Sequence, residues 1–543
     1  MSWRGENFGV AVTAIAAAVE TDRPALVHGD RTITWQELDR ITDAIACGLR
    51  AKGLQPGDAA GQMLRNTPEY VLAYFGSVKA GLIPVNVNYH YKAGELGDIF
   101  ARFGLKALFV EEEFAGRAAS ADAPALKTII PATYGHAAWD ELCSADIAPD
   151  FAPHTDKQAL FYTATGGTTG MPKAVMWPFE EAWDAFQISH WPQGMGEPPK
   201  VAASLAEHCA IARFCAPDSD ASIAPLLLLS PLMHGAGQFA AMIHLMRGGT
   251  LATLPATSFD ADQAVDAVFQ HKARSMAFVG DAFAMPLIDA LEKRGDGTEA
   301  IASLRMITSS GAVFSQSVKE RLIAINPHMV IVDALGSSES AGTAVTITSA
   351  AGTSGGGNFA PMPGRETKIF AVDENGAHRE VESGNGEYGI LARSGPLPLG
   401  YLGEDAKNAA TFPTIDGKRW LMTGDQACYR DDGSIAFKGR DNMCINTGGE
   451  KVFPEEVEAV LQDCDGVHDV RVVGVPDSRF GRKISAVVQG DASLEPKLDA
   501  AVREQLAGYK VPRLYVFTDQ SLRLNNGKPD YKTAQKLADR VAQ

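Results

Sequence analysis

The sequence predicts an α/β protein of at least two domains, with largely parallel sheets. Short strand-like apolar runs alternate with helical patterns along most of the chain, the arrangement that builds parallel sheets flanked by helices. At 543 residues the chain exceeds one ordinary hydrophobic core. A Gly/Thr-rich run at residues 162–173 follows directly on one of the strand patterns.

Residues 8–19 are apolar enough to resemble a signal-peptide core. Arg4 and Glu6 give a mixed-charge lead, however, and Glu20, Asp22 and Arg23 follow at once, so an Ala-rich helix packed on the domain is expected. Thr34-Trp35-Gln36-Glu37 fits a capping box, and its helix runs toward Leu49. Residues 75–79 sit in a second helical pattern that ends near Gly81, and 84–87 form a short strand. Further strands are expected at 107–110, 160–162, 226–229, 276–279, 306–308 and 330–332, with helices Ala261–His271 and Gln316–Ile325 among them. Stretches 192–200 and 350–364 are rich in Gly and Pro and read as loops. The apolar run 223–233 contains Pro225, Ser230 and Pro231 and is too short to span a bilayer, so no integral membrane segment is expected. The change of domain falls near residues 439–442, after the hairpin-like 431–434, which divides the chain into 1–439 and 440–543.

Composition narrows the partners. A formal net charge of −17 argues against nucleic acid or an anionic membrane. It leaves room for ATP, because a local cationic site holds a nucleotide on an acidic protein. Seven cysteines without a Cys-x-x-Cys pair suit free thiols in a reducing cytoplasm. His208, Cys209 and Cys215 are spaced like no common metal site.

The run Tyr162-Thr-Ala-Thr-Gly-Gly-Thr-Thr-Gly-Met-Pro-Lys173 carries the most chemistry. Its glycines let backbone N–H groups approach an anion, its hydroxyls add donors, and Lys173 adds a compact positive charge. This is a cradle for a polyphosphate. The Walker loop needs Gly-Lys-Ser/Thr, whereas Met171 and Pro172 separate Gly170 from Lys173 and Ala174 follows.

The pattern resembles instead the phosphate loop of the adenylate-forming superfamily of acyl-CoA synthetases, peptide-synthetase adenylation domains and firefly luciferase. Further blocks follow in that family's order. Pro231-Leu-Met-His234-Gly235 resembles the block bordering the acyl site. Ala334-Leu-Gly-Ser-Ser-Glu339 resembles the family's Tyr-Gly-x-Thr-Glu, with Leu335 in place of the usual Tyr. Thr423-Gly-Asp425 and Gly439-Arg440 follow, then Asn446-Thr-Gly-Gly-Glu-Lys-Val-Phe-Pro454, which resembles the mobile loop used when the thiol acceptor binds. Leu524-Asn-Asn-Gly-Lys528-Pro529 resembles the terminal Gly-Lys block, with Lys532 as a rival to Lys528. Similarity runs from about residue 24 to about 535.

The resemblance implies a large N-terminal domain of parallel-rich sheets and a small mobile α+β C-terminal domain, hinged at Asn442. It assigns catalytic roles to Lys528, Glu339 and Thr168, and Mg²⁺ to Glu339, a carboxylate suited to a hard ion. Nucleotide contacts fall to Thr165, Gly166, Gly167, Thr168, Thr169, Gly170 and Lys173. Gly311, Ala312, Asp333, Leu335, Gly336 and Ser338 extend that set, with Asp333 and Leu335 beside the adenine. Asp425 and Arg440 are assigned to the ribose or phosphate, Gly448 and Gly449 to the pantetheine passage, and His234 and Gly235 to the acid.

The implied reaction has two steps. A carboxylate oxygen attacks the α-phosphorus of ATP and pyrophosphate leaves; the CoA thiol then attacks the acyl-adenylate and AMP leaves. Two anions meet in the first step, so charge stabilisation dominates, and no general base is needed because the acid is already ionised. The small Gly235, Ala236 and Gly237 leave room beside the acyl site, and the wording of the blocks is most like fatty-acid or steroid-side-chain-acid synthetases. A medium-to-long or bulky apolar acid is therefore expected. Alternatives are a carrier-protein phosphopantetheine as acceptor, a luciferase-like oxygenase, and a non-catalytic nucleotide-binding relative. A homodimer is allowed by the sequence but not specified.

Overall fold

The computed structural model describes residues 5–165, 172–190, 201–214, 222, 224–312, 314–354, 359–362, 365–373, 377–383, 386–431, 433–440, 445–447, 450–477, 481–506, 508–524 and 528–542. It is a mixed α/β fold with a large N-terminal part and a smaller C-terminal one.

Local sequence signals set many of the element ends. The helix Phe8–Ala18 is capped by Asn7, whose side chain accepts from the Gly9 amide at 2.8 Å, and it buries Phe8, Val12 and Ile15 in the main core. Thr34 caps the helix Trp35–Ala51: its hydroxyl accepts from the Glu37 amide, and Glu37 accepts from the Thr34 amide at 2.8 Å. The helix Pro68–Ala80 ends at Gly81 with φ 86°, a left-handed turn that glycine takes without steric cost. These two helices are tied by Lys79, whose buried ammonium reaches Asp39 at 2.5 Å and Asp43 at 2.7 Å.

Three sheets make the N-terminal part. In the first, Leu226–Leu228, Ser275–Phe278, Met306–Ser310 and Val330–Leu335 run parallel side by side, and Ala344–Ser349 pairs antiparallel with the last of them. The second has a parallel centre of Ile83–Asn86, Ala59–Met63, Leu105–Val110 and Thr128–Pro131. On its other side Leu160–Thr165 joins Ile83–Asn86 and then pairs antiparallel with Lys173–Pro178. The third, built on Glu366–Val372, Gly389–Ser394, Lys418–Tyr429 and Ile435–Arg440, is antiparallel throughout and was not foreseen. Its strands pair antiparallel, so they need no parallel crossover, although the helix Asp405–Thr411 lies between Gly389–Ser394 and Lys418–Tyr429.

Residues 350–364 are not all loop. Gly352–Thr353 and Ala360–Pro361 pair antiparallel with Ala344–Ser349, at the end of the sheet, where Pro is tolerated. The other expected loop, 192–200, lies outside the described residues.

The C-terminal part has its own core. Ile445 and Val452 pack with Val470, Val472, Ile484 and Leu498. The three-stranded sheet Asp469–Asp477, Gly481–Gln489 and Leu514–Thr518 is covered by the helices Pro454–Gln462 and Tyr531–Ala542. Within the block around Asn446, Ile445–Thr447 and Glu450–Val452 pair antiparallel. Gly448 and Gly449, like the expected hinge Asn442, lie outside the described residues.

Candidate active site

A cavity of about 810 Å³ lies between the first sheet and the helix Gly235–Met246. Strand geometry decides its wall. Side chains alternate between faces, so Ser275, Ala277 and Val279, then Met306, Thr308 and Ser310, then Val332 and Ala334 all turn toward it. Phe278 and Ser309 also reach it near the strand ends. On the reverse face Met276, Ile307 and Ile331 are buried in the second core. The helix supplies the opposite wall through Gly235, Ala236, Phe239, Ala240, Ile243 and Arg247, a one-face helical spacing.

At one end of the cavity three sequence-distant loops and the C-terminal part converge. Thr165, Lys173, His234, Gly235, Gly311, Gly336, Ser338, Glu339 and Lys528 all line it. Thr165 and Lys173 are cross-strand partners at the base of a hairpin, so the geometry brings the ends of the Gly/Thr-rich run together. Its tip, Gly166, Gly167, Thr168, Thr169 and Gly170, lies outside the described residues.

The turn after Val330–Leu335 presents Glu339. Ser340 donates its amide to the Ser337 carbonyl at 3.1 Å, and its hydroxyl accepts from the Ser337 amide at 2.8 Å. A Cβ on Gly336 would stand 2.7 Å from the Gly342 Cα, so only glycine lets this turn close. The Tyr401 hydroxyl donates to Glu339 at 2.8 Å, and the Trp177 indole donates to the Ser338 carbonyl at 2.9 Å. Tyr401 and Trp177 were missed by sequence reasoning, since nothing local marks a partner 62 or 161 residues away.

Behind His234 a buried polar network fixes the segment 230–234. Asn66 accepts from the Leu232 amide at 2.7 Å and donates to the Ser230 carbonyl at 2.9 Å, and Asn86 donates to the Leu232 carbonyl at 3.1 Å. Gln238 donates to Asn86 at 3.1 Å and accepts from Thr163, on the strand that leads into the Gly/Thr-rich run, at 2.9 Å. Gly235 and Ala236 do line the cavity. Gly237 does not: a Cβ there would meet the Pro231 carbonyl at 2.3 Å, so it serves backbone packing rather than acyl room.

Several expected nucleotide residues stand off the cavity wall. Asp333 and Leu335 occupy the opposite face of their strand from Val332 and Ala334. Asp333 is buried against Lys319 at 2.9 Å, its carboxyl raised by burial and held back by that ammonium. Leu335 packs toward Ile369, Leu391 and Ile435. Ala312 packs against the second core. Asp425 is buried and is the backbone register partner of Arg440 in the antiparallel pair, while Thr423 and Gly424 form the wall. The two candidate lysines are placed differently: Lys532 is exposed on the last helix, whereas Lys528 lines the cavity.

Burial above all, with the Lys528 ammonium and His90 adding to it, lowers the His234 imidazole to about 3. Burial likewise lowers His208 to about 4 and His244 to about 3. All three are neutral at pH 7 in the folded chain. Below about pH 6.5 the unfolded chain takes up protons that the folded one refuses, so stability falls as pH drops. The expected loss is about 1.4 kcal/mol per histidine per pH unit until the folded groups titrate. The melting temperature should therefore fall steeply from pH 6.5 to 4; a flat profile in a thermal-shift series would contradict it.

The model of the AMP-binding enzyme family matches residues 14–402, and that of the AMP-binding enzyme C-terminal domain matches 456–528. The chain belongs to the AMP-binding, adenylate-forming enzymes. This adenylate-forming enzyme is 36% identical over 535 residues to the medium/long-chain-fatty-acid–CoA/3-oxocholest-4-en-26-oate–CoA ligase of Mycobacterium tuberculosis, covering 95% of this chain and 94% of that one. It is 34% identical to the 3-oxocholest-4-en-26-oate–CoA ligase of Rhodococcus rhodochrous, over 95% and 93% of the two chains. The fold of the adenylate-forming enzyme matches that of the anthranilate–CoA ligase AuaEII with anthranoyl-AMP at a TM-score of 0.80 and 20% identity, covering 98% of each chain. No described helix is long and apolar enough to cross a membrane.

Proposed function

We propose that this enzyme couples ATP to a medium- or long-chain, or bulky apolar, carboxylic acid and passes the acyl group to CoA, releasing AMP and pyrophosphate. The observation that carries the reading is one continuous cavity. Its reactive end gathers Thr165, Lys173, Glu339 and Lys528, and it continues between a small-residue sheet face and an apolar helix face. Relatives with 34–36% identity act on acids of this kind.

In the proposed division of labour, residues 1–439 hold nucleotide and acid, and residues 440–543 turn about Asn442 between the two steps. Lys528 neutralises charge where carboxylate and α-phosphate meet. Lys173, Thr165 and the hairpin tip with Thr168 hold the phosphates, and His234, neutral beside Lys528, borders the carboxylate without adding charge. Among the described residues no group of three or more acidic, His or Cys side chains surrounds a metal position. One carboxylate facing a polyphosphate fits Mg²⁺, which keeps its waters and takes phosphate oxygens as its other ligands. Glu339 would hold it, and the ion would supply charge neutralisation on the departing pyrophosphate. We place the reaction in the cytoplasm, where the free cysteines Cys47, Cys143, Cys209, Cys428 and Cys464 stay reduced.

The deciding experiment measures pyrophosphate and AMP release with ATP, Mg²⁺ and a panel of acids, with free CoA, with a carrier protein, or with neither. Acyl-CoA from long-chain or steroid-side-chain acids is expected. Best turnover of acetate, or thioester formed only on the carrier protein, would replace the reading.

A further inference from the structure

Lys528 comes to the cavity from a paired stretch of chain. The Leu524 amide donates to the Lys528 carbonyl at 2.8 Å, the Asp530 amide donates to the Leu522 carbonyl at 2.8 Å, and Arg523 bridges antiparallel to Pro529. Whatever fixes residues 522–524 therefore fixes the backbone of Lys528. The Arg523 side chain is such an anchor. Its Nε lies 2.9 Å from one Asp469 carboxylate oxygen, and a terminal nitrogen donates to the other at 3.1 Å, a two-point grip of guanidinium on carboxylate. Asp469 opens the strand Asp469–Asp477 and also holds Arg471 at 2.9 Å. Asp469 and Arg471 are buried, and Arg523 exposes only 15% of its side chain, so these charges act on one another with little screening.

One carboxylate between two guanidiniums leaves positive charge over. On the Arg471 side it is answered by the buried Glu458. On the Arg523 side the second carboxylate is Asp281, from the N-terminal part. Asp281 is buried at the start of the helix Asp281–Lys293, where it accepts from the Ser315 amide at 2.9 Å and the Ser315 hydroxyl at 2.5 Å. Burial raises its carboxyl, Ser315 and Arg523 lower it, and Asp469 raises it, so the Arg523–Asp469 pair stands against it across the boundary between the two parts. Two residues beyond Ser315, the Ser317 hydroxyl donates to Asp463 of the C-terminal part at 3.2 Å. Asp281 is also two residues from Val279, which lines the cavity.

We propose that Arg523 is a positioning residue for acyl-adenylate formation: gripped by Asp469 and docked against Asp281, it sets the paired stretch that puts the Lys528 ammonium in the cavity. The proposal rests on the role given to Lys528 above and says what holds that cation in place. Arg523 itself touches none of the reacting groups; it acts through Lys528.

The test follows two half-reactions of the full-length enzyme: pyrophosphate release with ATP, Mg²⁺ and a long-chain fatty acid, and thioester formation from synthetic acyl-adenylate and CoA. Arg523→Met should slow the first by about tenfold or more, because a small misplacement of a catalytic group is costly, and change the second by less than about twofold. Arg523→Lys, which keeps the charge and loses the two-point grip, should recover part of the rate. Added to Lys528→Ala, Arg523→Met should cost nothing further, since the group it positions is gone. Asp281→Asn keeps both Ser315 contacts and removes the charge; it should show the same pattern at smaller size, and it carries the test if Arg523→Met does not fold. Equal slowing of both half-reactions, or losses that multiply with Lys528→Ala, would overturn the proposal. If Lys528→Ala leaves pyrophosphate release untouched, the underlying role of Lys528 fails; if it slows that step and Arg523→Met acts on both steps alike, only this inference does.

Discussion

Lys528→Ala is expected to lower acyl-adenylate formation by about 10²–10³-fold, the usual cost of removing one preorganised charge from a transition state. Lys528 reaches the cavity from the C-terminal part, and its ammonium is close enough to depress His234, which lines the same cavity. Carboxylate and α-phosphate are both anionic, so the barrier to their meeting is largely electrostatic, and a cation placed between them acts only while that charge is shared. The thioester step brings in a neutral or singly charged thiol and has no such meeting of anions. With synthetic acyl-adenylate and CoA supplied, the variant should therefore retain most thioester formation. Pyrophosphate release and thioester formation, followed separately, check this. Equal loss in both half-reactions would remove Lys528 from the assigned role. Lys532→Ala, on the exposed face of the last helix, should change neither step.

Glu339→Gln is expected to lower turnover by about 10²-fold and to raise the Mg²⁺ concentration needed for half-maximal rate. The substitution keeps shape and removes charge. Tyr401 donates to the Glu339 carboxylate at 2.8 Å and can still donate to the amide oxygen, so the turn should survive the change. That separates electrostatics from folding. Tyr401→Phe is the companion variant: it frees the carboxylate without neutralising it and should cost much less. Initial rates across a Mg²⁺ titration give both numbers, and an unshifted half-saturation point in Glu339→Gln would detach the metal from this residue.

Much of the framework was legible because its signals are local. The Thr34–Glu37 box, the Gly81 cap and the helices Ala261–His271 and Gln316–Ile325 depend on residues within a few positions of one another. The strand before the Gly/Thr-rich run was legible for the same reason. What the chain alone did not reveal was facing. Asp333 and Leu335 lie one residue off from Ala334 and Gly336, and a period of two decides which pair meets the cavity. Gly237 looked like acyl room and proved to be backbone clearance against Pro231. Tyr401, Trp177 and Asn66 became visible only when the sheets brought them to Glu339, Ser338 and the segment 230–234.

The alternation along Ser275–Phe278, Met306–Ser310 and Val330–Leu335 separates two kinds of position. Ala277, Thr308 and Val332 face the cavity, while Met276, Ile307 and Ile331 hold the core from the reverse side. A change of side-chain volume at the first set therefore reshapes the cavity without opening a void in the core, whereas the same change one residue along disturbs the core and leaves the cavity wall as it was.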